Sequence, residues 1–183
     1  MRYFVYSSLF LCLACSSFER AYENSLSDAE KRHLDTAAYL IRSFRIDYEK
    51  GTRSVDSRMR VTREGNRYNF TPVDSMIVYT NDGTMLEKNY YDKLGQLTRM
   101  QIYSGSQPNQ IITDLVAHDT TLNGQLARYQ VVKNGFYPNG QPQTIERWIR
   151  VGNKTRKYGK WEYYNADGNL QRTVRYENGK KVN

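Results

Sequence analysis

A chain of 183 residues is long enough for one domain with an ordinary core and leaves little room for two. Mean hydropathy is low at −0.79. Sixteen tyrosines against four prolines nevertheless argue against disorder, because that much aromatic surface gains from burial, and tyrosine favours strands. The formal net charge of +8 is uneven: from Ile145 onward there are ten Lys and Arg against four Asp and Glu, whereas Ser16–Thr144 is nearly neutral. A basic patch of this kind suits phosphate-bearing partners or anionic head groups, but is more often a plain solvated face.

The chain opens with Met1-Arg2 and an eleven-residue apolar run, Tyr3–Leu13, interrupted only by two serines, then the small Ala14. One positive charge, a short apolar run and a small residue is the layout of a secretory signal peptide. The run is too short to span a bilayer, which takes about 20 helical residues. Both cysteines of the chain fall here, as Cys12-Leu-Ala-Cys15, and none follows. A redox pair belongs at a helix start inside a folded unit, and a zinc site needs two more ligands where the chain has only His33 and His118. The remaining alternative is a buried N-terminal strand or helix.

Leu11-Cys12-Leu13-Ala14-Cys15-Ser16 resembles a bacterial lipobox, with Cys12 standing where Leu, Val or Ile is usual. The resemblance implies a signal peptide over 1–14, acylation of Cys15, a tether over 15–26 and a place in the cell envelope. Ser16 after the cysteine fits outer-membrane sorting in a two-membrane cell. Cys12 is the poorer candidate because bulky Leu11 precedes it.

Ser27-x-x-Glu30 reads as a capping box, and Leu34, Ala37, Ala38, Ile41, Phe44 and Tyr48 follow at three- and four-residue spacing. This predicts one amphipathic helix over 27–51, ended by Gly51. His33, beside Leu34, reads as an exposed or packed histidine. The period then changes to two: Val55, Met59 and Val61 alternate with Asp56, Arg58 and Arg60. Further strands are expected at Tyr68–Phe70, Ser75–Thr80, Thr84–Tyr91, Gln96–Tyr103, Ile111–Ala117, Gln125–Lys133, Thr144–Val151, Lys160–Asn165 and Asn169–Glu177. Glu-Gly-Asn at 64–66, Asn-Gly at 134–135, 139–140 and 178–179, and Ala-Asp-Gly at 166–168 read as hairpin turns. The expected fold is mostly β: an antiparallel meander over 52–183 behind one helix.

The turns repeat. Tyr79-x-x-x-Gly83-x-x-Leu86 returns as Tyr91-x-x-x-Gly95-x-Leu97, then as Phe136-x-x-x-Gly140, then as Tyr164-x-x-x-Gly168-x-Leu170. An aromatic that packs on the sheet and a glycine that closes the hairpin form one physical unit. The clearest copy, residues 159–180, holds Gly159-x-Trp161-x-x-Tyr164-x-x-x-Gly168-x-Leu170 and then Tyr176-x-x-Gly179-Lys180. It resembles the MORN-variant repeats of bacteria, closely over Gly159–Lys180 and fairly over Tyr129–Gln143. Tyr91-Asp-Lys-Leu-Gly95 equally resembles the YD-type repeats of large secreted proteins. The MORN-variant resemblance implies an elongated β-meander used for interaction. Some members are antitoxins of toxin–antitoxin systems, and an envelope address fits that role badly.

No catalytic constellation emerges. His118-Asp119 has no nucleophile-elbow serine to serve, and Walker, Rossmann and EF-hand patterns are missing. Asp74, Asp82, Asp92, Asp114 and Asp119 fall near turns or strand ends, where aspartate forms turns; a carboxylate-dependent exported hydrolase is the reading they leave open. The C-terminal segment interleaves rings with cations, and Trp148, Arg150, Lys157, Tyr164, Arg172 and Arg175 form a candidate binding surface. Because Trp161 and Tyr163 share one strand face, these rings are more often core than binding site. The expectation is a cofactor-free, metal-free, non-enzymatic module, tethered to a membrane by lipid and binding an envelope protein or polymer. Export argues against nucleic acid. The alternative is a cytosolic antitoxin-like module.

Overall fold

The computed structural model describes residues 20–48, 53–105 and 110–182. Residues 20–25 (α1) and Asp28–His33 (α2) are helical, and twelve strands follow: β1 Leu40–Tyr48, β2 Arg53–Glu64, β3 Arg67–Thr80, β4 Met85–Tyr91, β5 Leu97–Tyr103, β6 Ile111–Leu122, β7 Gln125–Phe136, β8 Pro142–Val151, β9 Lys154–Lys157, β10 Gly159–Tyr164, β11 Leu170–Glu177 and β12 Lys180–Val182. They form one open antiparallel sheet in chain order, as expected of a meander. Among the described residues the path departs from simple succession at β8. Its Trp148–Val151 half pairs with β9 and its Thr144–Ile145 part with β10, so β9 and β10 share one flank of β8. The Arg147 carbonyl at the junction accepts the Tyr158 N–H and the Trp161 indole N–H, both at 2.9 Å.

The expected helix over 27–51 is much shorter. The capping box forms as read: Glu30 N–H donates to Ser27 Oγ at 3.3 Å, and Ser27 N–H donates to Glu30 Oε2 at 2.8 Å. After His33 the chain turns, and Leu40–Tyr48 becomes β1, matched residue for residue with Val61–Arg53. The segment Phe44-Arg45-Ile46-Asp47-Tyr48 also alternates, and nine cross-strand pairs outweigh a helical stripe that has no partner. Ile41, assigned to that stripe, is exposed, whereas Phe44 and Ile46 are buried. The expected tether also differs over its described part, because Tyr22 and Leu26 are core residues. Residues 1–14 and Cys15 lie outside the described residues.

The four copies of the repeat are one structure made four times. Thr80, Asp92, Tyr137 and Asn165 each donate their N–H to the carbonyl four residues on, at 2.9–3.0 Å. Each also accepts, at 2.9–3.1 Å, the N–H of the glycine three residues on: Gly83, Gly95, Gly140 or Gly168. Those glycines sit at φ between 80° and 84°, a region that L side chains adopt only with strain. The aromatic of each copy (Tyr79, Tyr91, Phe136, Tyr164) directly precedes its turn. The expected turn at Asn134-Gly135 is a correction: both residues lie within β7. Gly135 takes φ 59° mid-strand with the Gln143 side chain where a Cβ would go, so glycine here serves close approach rather than reversal. The chain reverses after β7 at Tyr137–Gln141 instead, and the β6–β7 reversal uses Asn123-Gly124, both at positive φ.

Register sorts every side chain to one of two faces. One row crosses eight strands through paired positions: Phe44, Ser57, Met76, Asn89, Met100, Leu115, Val132 and Glu146. This is the helix face. At its N-terminal end Tyr22, Leu26 and Leu34 cover Phe44, Ile46, Met59 and Val61; the Tyr22 ring meets Phe44 edge-on at 5.0 Å and stacks on Phe70 at 5.4 Å. Farther along, Met100, Leu115, Ala117 and Val132 form a second cluster, with Trp148 packed against it. Asn89 is a polar residue buried in the row. Its Nδ2 donates to Glu87 at 2.6 Å, and its Oδ1 has no hydrogen-bond donor among the described residues.

Candidate functional site

The six candidate surface residues divide between the two faces. Trp148, Arg150, Lys157 and Arg172 lie on the helix face, because Trp148 pairs with Lys157 and Arg172 with Tyr163. Tyr164 and Arg175 lie on the opposite, open face, with Lys160 and Glu162. A period of two imposes this split, since Tyr164 follows Tyr163 and Arg175 precedes Tyr176.

On the helix face the rings are already occupied. Trp148 and Trp161 meet at 5.0 Å and 60°, and Trp161 meets Tyr176 at 5.0 Å. The Lys157 ammonium stands 4.6 Å from the Trp161 centroid and 4.9 Å from that of Tyr176. The Arg172 guanidinium covers Tyr163 at 4.1 Å. Trp161 is only 4% exposed. These rings are therefore core and cation seats, with no open platform on Trp161 for an incoming sugar or base. Arg150 remains accessible: it sits opposite Arg128, whose guanidinium is bound to Asp119 at 2.7 Å and Gln96 at 2.9 Å, and it makes no ion pair among the described residues.

Two carboxylates mark the difference between the faces. Burial pushes Glu146, on the helix face, above its ordinary value, although hydrogen bonds from Trp148 and Asn134 and the Lys157 charge pull the other way. Burial also pushes at Glu162 on the open face, but Lys160 and Arg147, both at 2.8 Å, outweigh it and hold that carboxyl below its ordinary value. Burial raises the Tyr164 hydroxyl, with the neighbouring Glu162 charge adding to it. The Tyr164 carbonyl accepts the Tyr137 hydroxyl at 3.0 Å, which ties the turn after β7 to the turn after β10.

The other sequence candidates take structural places. Asp82 and Asp92 hold turns, with Asp92 Oδ1 accepting the Leu94 and Gln96 amides at 2.8 Å each. Asp114 is clasped by both arms of Arg99 at 2.8 and 2.9 Å, Asp119 by Arg128, and Asp74 pairs loosely with Arg58 at 3.9 Å. His33 is exposed, and His118 lies against the Tyr129 ring at 5.2 Å. Among the described residues no three His, Cys, Asp or Glu side chains are grouped to hold a metal, and no helix is long and apolar enough to cross a membrane.

Sequence reasoning missed a groove on the open face, where the Asp92–Gly95 turn folds back on β2 and β3. Arg60 donates to the Lys93 carbonyl, and Gly95 abuts Thr71. Alternation places Arg58 and Arg60 on a polar face, but their meeting with Lys93 has no local signal. No protein-family model and no curated protein matches this chain.

Proposed function

We propose that this chain is an exported lipoprotein, tethered to an envelope membrane through Cys15, whose sheet is a non-enzymatic binding or scaffold module for an envelope protein or polymer. The reading is supported by the short apolar run Tyr3–Leu13 that precedes Ala14 and Cys15 and by the form of the sheet. The observation that carries most weight is a twelve-strand meander that presents its open face, and Arg150 and Arg172 on its helix face, to whatever lies beside it. Arg175, on the open face, shares its charge with Glu177 at 3.3 Å.

Intact-mass analysis of the membrane fraction, wild type against Cys15→Ala, tests the tether. The expected result is a mature chain beginning at an acylated Cys15, absent in the variant. An unprocessed soluble chain starting at Met1 would replace this reading with a cytosolic antitoxin-like module. Reversing the charges of Arg172, Arg175, Lys180 and Lys181 tests the basic surface: envelope cross-links are expected to fall, and unchanged cross-linking would remove that surface from the proposal.

A further inference from the structure

The open-face groove at the N-terminal half of the sheet has a composition that its structural duties do not use up. It is an open groove of about 660 Å³, lined by Tyr39, Ile41 and Val73 together with Arg58, Arg60 and Lys93. Val73 is buried and forms apolar floor, whereas Tyr39 and Ile41 are 53% and 46% exposed at the rim. Two carboxylates are also present. Asp92 is committed to its own turn through the Leu94 and Gln96 amides. Asp74 reaches Arg58 only at 3.9 Å, with both side chains more than half exposed, a pair that competing anions displace readily. Arg60 is partly engaged by the Lys93 carbonyl, and the Lys93 ammonium makes no ion pair among the described residues.

We infer that this groove binds a single-chain anionic amphiphile, an alkyl phosphate of the lysophospholipid type. Its head would meet Arg58, Arg60 and Lys93, and its chain would lie over Tyr39, Ile41 and Val73. Arginine favours a phosphate through paired N–H donors, and Lys93 adds a point charge. A simple inorganic-anion site would have no use for an exposed isoleucine and tyrosine at its edge, and a purely apolar site would not collect three cations. The groove belongs to β1–β4 and the turn after β4 rather than to the C-terminal strands, so the inference stands independently of Cys15 and of the basic surface.

The full-length Cys15→Ala chain, which carries no acyl anchor of its own, is titrated calorimetrically with dodecyl phosphate below its micelle concentration. Dodecyl maltoside and inorganic phosphate are titrated in parallel. Saturable one-site binding of dodecyl phosphate is expected, weakened about tenfold by each of Arg58→Glu, Lys93→Glu and Ile41→Asp. Lys154→Glu, at the far end of the sheet, is expected to leave it unchanged. All four positions are exposed, and far-UV circular dichroism checks that each variant folds. Binding that all three groove variants leave intact overturns the site. Equal binding of dodecyl maltoside overturns the anionic head, and equal binding of inorganic phosphate overturns the amphiphile.

Discussion

Lys157 holds its ammonium 4.6 Å above the Trp161 ring, and through that contact the short β9 is fastened to β10, a strand with which it shares no ladder. Tyr176 of β11 lies 4.9 Å from the same ammonium, so one cation joins three consecutive elements. Replacing Lys157 with Met keeps the apolar stem and removes the charge. This is expected to lower stability by about 1 kcal/mol, and Lys157→Ala by more, because the stem's packing goes as well. Urea unfolding followed by tryptophan emission measures both. Identical midpoints for wild type and Lys157→Met would mean that the charge contributes nothing.

Glu146 gives stability a pH dependence of definite sign. Its folded value is raised by burial above the ordinary 4.5, so the folded chain keeps this proton to higher pH than the unfolded chain. Stability from this group is therefore full below the ordinary value and is lost as pH rises toward the raised one. Glu146→Gln is expected to be more stable than wild type at neutral pH and to converge with it in acid. Urea midpoints taken from pH about 4 to about 7 read the difference, and parallel curves would refute the assignment.

Gly83 and Gly95 occupy equivalent turns at φ 84° and 80° but have different surroundings. A Cβ on Gly83 meets open space, so Gly83→Ala is expected to cost about 1–2 kcal/mol for backbone strain alone. A Cβ on Gly95 runs into the Thr71 methyl and lies 3.3 Å from the Pro72 carbonyl, which adds about 1–3 kcal/mol. Thermal unfolding of the two variants compares them directly. Equal losses would mean that the turn after β4 does not rest on β3.

Asn89 sits in the buried row between Met76 and Met100 with an acceptor that no donor among the described residues reaches. An orphaned buried polar atom costs about 1–3 kcal/mol, so Asn89→Leu is expected to raise stability by about 1 kcal/mol even after losing the bond to Glu87. Asn89→Asp, which buries a charge at the same place, is expected to do the reverse. Differential scanning calorimetry of both variants checks the pair of signs, and a fall in melting temperature for Asn89→Leu would show that the amide is needed where it stands.

The turns were legible because their chemistry is local. An aromatic, three turn-formers and a left-handed glycine satisfy their own backbone groups within five residues, and all four copies form the expected hairpin. The Ser27–Glu30 capping box was legible for the same reason. The segment after it was not. Ile41, Phe44 and Tyr48 fit a helical stripe, while Phe44, Ile46 and Tyr48 fit a strand, and only β2, arriving from elsewhere in the chain, decides between them. Alternation with Phe44 and Ile46 puts Arg42 on the core side of β1, where its charge meets Glu30 at 2.6 Å.

The candidate surface followed the same division. Its residue types were visible in the sequence, but their distribution over two faces depends on the register that β8, β9, β10 and β11 adopt together. By itself the sequence determined the class of fold, the positions of most strands and the form of the repeated turns, since period-two alternation and turn chemistry act over a few residues. Only the tertiary structure decided that the second half of the expected helix is an edge strand, that Trp161 is core rather than platform, and that Lys93 stands beside Arg58 and Arg60. Those outcomes depend on pairing between segments distant in sequence, and the free energy of such pairing is written in no single stretch of the chain.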